Sequence, residues 1–150
     1  MDELKDKIKK AQEEGSIASL FTLESRVLDC RCDELVADYY AMVLDIAMEN
    51  LTDALENIKV FDMSNVEDFA TLKALYEYAL EHFSEKNYQD GSALFEMIGG
   101  MCDDESFKES MKAHKIACDR ELDIDDFLSN YADIDLVDKF YINQFKKALV

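Results

Sequence analysis

Apolar residues recur along this chain at intervals of three and four. Leu35, Tyr39, Val43, Ile46 and Ala47 fall on one helical stripe. Val66, Phe69, Ala70, Lys73, Tyr76, Ala79, Leu80 and Phe83 form a longer one, with Lys73 its one polar member. Leu136, Phe140, Gln144 and Ala148 carry the pattern towards the end, flanked by Val137, Tyr141 and Phe145. This is the period of an amphipathic helix. No stretch alternates with a period of two between turn dipeptides, so no strand and no β-sheet are predicted.

Capping chemistry places the helix starts. Ser64-Asn65-Val66-Glu67 fits a capping box, in which the Ser64 hydroxyl accepts an unpaired N–H and Glu67 reaches back. Asp33, Asp103, Asp123 and Asp135 each precede a periodic run and read as N-caps. Gly15 and the pair Gly99-Gly100 read as stops. The resulting map has about nine helices, near 2–14, 16–30, 33–49, 50–61, 64–86, 87–101, 104–119, 123–132 and 135–148. Short connections predict antiparallel hairpins stacked as an array or bundle. With no linker in view, residues 1–150 read as a single all-α domain.

Composition agrees with that class. The chain is 49% hydrophobic and 33% charged, has no proline and has four glycines. A 150-residue chain of this kind can bury a core without metal or disulfide staples. Its formal net charge is −18, with the acidic residues spread over both halves. Such a surface repels phosphate backbones and anionic membranes, so neither nucleic acid nor membrane is the expected partner. It favours a basic one. The first ten residues are charged and lack the apolar core of a secretory signal. No apolar run approaches the roughly 18 residues that span a membrane. The expectation is a cytoplasmic protein whose four cysteines are reduced thiols.

One window carries a family likeness. In residues 74–98, Leu75 and Tyr78 stand at the large positions of the first helix and Ala79 at its small position. Tyr88 stands at the turn aromatic, Gly91 at the small position of the second helix, and Phe95 at its aromatic. This window resembles a tetratricopeptide repeat, a helix–turn–helix unit of roughly 34 residues. His82, Ile98 and Asp103 depart from the pattern, and residues 50–58 echo the second helix of the unit faintly. The resemblance implies stacked hairpins with a concave surface on their first helices. That surface would show Lys73, Tyr76, Leu80 and Phe83 to a partner peptide or helix. The ordinary fate of such a stripe is the core.

Catalytic and metal chemistry is thin. His114 shares a stripe with Phe107, Met111 and Cys118, where a histidine is normally a satisfied core residue. His114 and Cys118 lie four residues apart and could face one ion, with Cys102 a further ligand. These are weak candidates: Cys30-Arg31-Cys32 lacks zinc spacing, and no second pair of cysteines supplies it. Asp123 and Asp125 lack the remaining ligands and the glycine of a calcium loop. No nucleophile elbow, phosphate loop or dinucleotide fingerprint occurs.

The expectation is therefore a non-enzymatic adaptor or chaperone-like module without cofactor, holding a basic or amphipathic helix in a groove. The alternatives are a metal- or thiol-dependent protein using its Cys and His residues, and a structural homodimer.

Overall fold

Where the chain carries the three-and-four period it folds, for the most part, as helix. In the computed structural model, which describes residues 2–149, α1 spans Asp2–Glu14, α2 Ile17–Phe21, α3 Glu24–Asp29 and α4 Asp33–Glu56. Then come α5 (Val66–Ser84), α6 (Tyr88–Gly100), α7 (Glu105–Asp119) and the short α8 (Ile124–Asp126). A widened π turn, Phe127–Tyr131, and a 3-10 turn, Ile134–Leu136, follow. The protein is all-α; among the described residues, pairing outside helices is limited to two isolated bridges, Phe61 with Cys102 and Ala132 with Phe145.

The chain divides into two compact units: Met1–Lys59 with Met63–Ala74, and Val60–Asp62 with Leu75–Val150. No glycine-rich or polar linker marks the division, which falls inside α5.

In the first unit, Leu4, Ile8 and Ala11 of α1, Ile17 and Leu20 of α2, and Val43, Ala47 and Leu51 of α4 are buried. The Tyr39 hydroxyl, also buried, donates to the Leu20 carbonyl at 2.7 Å. Asn50 Nδ2 donates to Thr71 Oγ1 at 2.9 Å, tying α4 to α5. The Glu67 side chain reaches out of α5. Its carboxylate accepts from the Ser16 hydroxyl at 2.6 Å and the Ile17 N–H at 3.0 Å, covering the open N-terminus of α2. The cap of α5 is Asn65, whose Oδ1 accepts from Glu67 N–H and Asp68 N–H, each at 3.0 Å.

The second unit is built on three antiparallel segments: the end of α5, α6 and α7. Ring contacts pair Phe83 with Tyr88 and Tyr76 with Phe95. A Cβ on Gly91 would lie 3.6 Å from the Ala79 carbonyl oxygen, so small residues at both positions bring α5 and α6 close. Gly91 would also meet Cys118 Sγ at 3.2 Å, and a Cβ on Gly99 would meet Met111 Cβ at 2.9 Å. Gly91 and Gly99 thus serve packing against α7. Gly99 and Gly100 lie within the helix and do not stop it by a left-handed turn.

The stops are elsewhere. Gly15, Ile58, Lys86 and Glu121 have φ between 52° and 66° just beyond α1, α4, α5 and α7. Each is followed by an N–H that reaches back to the last turn, as Lys59 does to the Ala54 carbonyl at 2.9 Å and Asn87 to His82 at 2.8 Å. Only one of these four left-handed stops is a glycine.

Three predicted segments differ. Residues 16–30 form two short helices with a turn at Thr22-Leu23, and residues 33–56 form one 24-residue helix with no break at 49–50. The expected helix at 135–148 does not form beyond the 3-10 turn. Its backbone groups are claimed from outside: Gln144 C=O accepts from Asp133 N–H at 2.8 Å, and Lys146 N–H donates to Tyr131 at 2.7 Å. Part of the apolar band of this segment is buried without helix, through Tyr141, Ile142 and Leu149.

Candidate functional site

Of the four residues expected to line one groove, two are inside. Tyr76 and Phe83 are buried in the second unit, and Leu80 is half-buried. Tyr76 packs edge-on against Phe95, His114, Phe140 and Tyr141, and Phe83 against Phe127. Tyr76 and Phe83 therefore do not line an open groove: large aromatic side chains at helical spacing are spent on the core of the second unit. Lys73 belongs to the first unit and lies beside a different hollow.

His114 is wholly buried, at the centre of the second unit's aromatic cluster. Its Nδ1 lies 2.7 Å from the Ser110 carbonyl, which can only accept, so Nδ1 carries the proton. Nε2 is then an acceptor and takes the Tyr76 hydroxyl proton at 2.9 Å. The Tyr76 oxygen in turn accepts the Ile142 N–H at 3.1 Å. The Ser110 hydroxyl donates to the Ile142 carbonyl. Both backbone groups of Ile142 are therefore held by side chains from α5 and α7. Burial pushes the His114 imidazole down to about 4 and the Tyr76 hydroxyl well above its usual range. Both ring nitrogens are engaged, and the group is neutral at physiological pH.

The other two weak metal candidates are also inside. Burial pushes the Cys118 thiol up to about 12 and raises that of Cys102. Among the described residues no three His, Cys, Asp or Glu side chains converge as a ligand set. Asp123 is the N-cap of α8, as its place before the periodic run predicts: its Oδ1 accepts from Asp125 N–H at 2.9 Å.

An open, largely apolar hollow lies in the first unit, between α2 and the start of α5. It measures about 530 Å³ and is lined by Phe21, Met63, Val66, Phe69, Ala70 and Lys73. Val66 is 70% exposed and Phe69 41% exposed, so two large apolar side chains of one helix turn face water. Their spacing of three places them on the stripe that the sequence assigns to the core. At one end the Lys73 ammonium sits 4.0 Å above the Phe21 ring and 4.0 Å from Glu24 Oε1. Glu24 Oε2 accepts from the Tyr40 hydroxyl at 2.9 Å. The hollow is thus an apolar trough closed by a cation, an aromatic face and an oriented carboxylate.

Of the residues around it, sequence reasoning singled out Lys73 alone for function. Val66 and Phe69 were visible as apolar. They share a stripe with the buried Tyr76 and Phe83, so no periodicity marks them as exposed. Phe21, Met63 and Glu24 lie at turns and short-helix ends, where no periodicity points to them. Compared with family models, curated proteins and solved structures, the chain finds no match.

Proposed function

We propose that this protein is a non-enzymatic interaction module, adaptor or chaperone-like, that holds an amphipathic basic helix of a partner protein in the trough between α2 and α5. One observation carries the reading: Val66 and Phe69 are exposed side by side on the wall of an apolar hollow. Exposed apolar groups clustered at a concavity mark interaction sites more often than scattered ones do. The net charge of −18 supports a cationic client and disfavours nucleic acid and anionic membranes. The helical hairpins of α5, α6 and α7 are in keeping with a tetratricopeptide-like architecture. A cytoplasmic setting, with reduced thiols, suits the role.

The test is fluorescence anisotropy with a designed peptide that is leucine-rich on one helical face and arginine-rich on the other. Its counterpart carries glutamate in place of arginine. The cationic peptide is expected to bind, and Phe69→Glu to weaken it tenfold or more with helicity unchanged. Unspecific attraction would have the opposite sign, because Phe69→Glu makes the surface more negative. Equal or tighter binding to Phe69→Glu, or binding of both peptides alike, overturns the reading.

A further inference from the structure

The end of the trough contains a feature that a merely greasy groove would lack. A lysine ammonium lies over the face of Phe21, at a distance where a cation is held by the ring quadrupole. The same ammonium is 4.0 Å from a Glu24 oxygen, the outer limit of an ion pair. The Tyr40 hydroxyl holds the other Glu24 oxygen and fixes the plane of the carboxylate. Aromatic face and oriented carboxylate stand together, beside exposed apolar side chains, on a strongly acidic protein.

From this arrangement we infer that Phe21 and Glu24 form an arginine seat, which Lys73 fills until an arginine of the partner helix displaces it. The inference rests on the proposed reading of the trough as a helix-binding site. The chemistry favours guanidinium over ammonium on two counts. A guanidinium is planar, so it stacks on a ring as well as attracting it, and it offers a fork of donors to a fixed carboxylate. A lysine presents one compact charge, and here it reaches Glu24 only at long range. The pair with Glu24 is readily exchanged, because it stands at the outer limit of an ion pair and is partly exposed. The partner is thereby specified more closely: an amphipathic helix with an arginine at the edge of its apolar face. Phe21 and Glu24 are its specificity determinants, and Val66 and Phe69 supply the apolar wall.

The experiment replaces each arginine of the designed cationic peptide in turn by citrulline, which keeps the shape and removes the charge. Anisotropy is read on the wild type, Glu24→Gln, Lys73→Met and, as a charge control, Lys9→Met. One peptide position is expected to cost tenfold or more on the wild type, and that penalty should disappear in Glu24→Gln. Lys73→Met should tighten the arginine peptide severalfold beyond Lys9→Met, since it empties the seat without changing net charge differently. A flat citrulline scan, or a Lys73→Met effect no larger than that of Lys9→Met, overturns the arginine seat. If Phe69→Glu still abolishes binding in that case, the trough reading stands alone. If the wild type binds no peptide, both fall. Thermal unfolding of each variant is measured alongside, and only variants melting with the wild type enter the comparison.

Discussion

The Tyr76 hydroxyl bridges two buried partners: it donates to His114 Nε2 at 2.9 Å and accepts the Ile142 N–H at 3.1 Å. Tyr76→Phe keeps the ring and removes the bridge, leaving a buried acceptor and a buried donor unpaired. The expected loss is about 3 kcal/mol, from the cost of unsatisfied buried groups. Tyr141→Phe is the control, because its hydroxyl meets the exposed Ser106 at 3.1 Å, where water can replace it. Urea unfolding should show the first variant much weaker and the second within about 1 kcal/mol of the wild type. Equal losses would mean that the bridge does not hold the C-terminal segment.

His114 also makes the fold sensitive to acid. Its folded value, about 4, lies below the 6.5 of an unfolded histidine. As pH falls, the unfolded chain takes up the proton first, so stability is full above about 6.5 and is lost down to about 4. Near pH 5 the loss from this one group is about 2 kcal/mol. The change in unfolding free energy between about pH 7 and pH 5 should therefore be larger in the wild type than in His114→Gln. An identical change in both would remove His114 from the account.

Two adjacent glycines should respond in opposite directions. Gly99→Ala puts a Cβ at 2.9 Å from Met111 Cβ, an atom too near the backbone of α7 to swing away. A cost of about 1–3 kcal/mol follows from overpacking. Gly100→Ala meets nothing within 4 Å and lies in the last turn of α6. A gain of a few tenths to about 1 kcal/mol is expected from reduced freedom of the unfolded chain. Thermal melts of the two variants read this directly, and a shift of the same sign in both would contradict the close packing of α6 on α7.

Ile58 is a β-branched residue at φ 52°, and it is 90% exposed. It bears the cost of a left-handed stop and contributes almost no burial. Replacing it by glycine or asparagine should stabilise the protein by about 1 kcal/mol. Destabilisation by both variants would show that the residue is held by packing and not tolerated in spite of it.

The thiols should divide by burial. Cys102 and Cys118 are buried, with burial raising both above the usual thiol range, whereas Cys30 and Cys32 are partly exposed. Iodoacetamide on the folded protein should label the latter pair and reach the former only after denaturation. Peptide mass spectrometry that found Cys118 labelled as fast as Cys32 would contradict the close contact of Cys118 with Gly91.

The amino-acid sequence by itself determined the class of fold and most helix positions. A period of 3.6 is local, and so are caps such as Asp123; both can be read without knowing what packs where. Its stops were harder to read, because Ile58, Lys86 and Glu121 do by tertiary constraint what glycine would announce. Tertiary structure alone decided which members of the α5 stripe are inside: Tyr76 and Phe83 are buried, whereas Val66 and Phe69 are exposed. It also decided the state of residues 137–149. Their apolar spacing suits a helix, but Tyr76 and Ser110 satisfy the Ile142 backbone outside any helix. A helix there would have to break those bonds and withdraw Tyr141 and Ile142 from the core. Local pattern states which groups need burial or a partner, and only the assembled core states which partner each one finds.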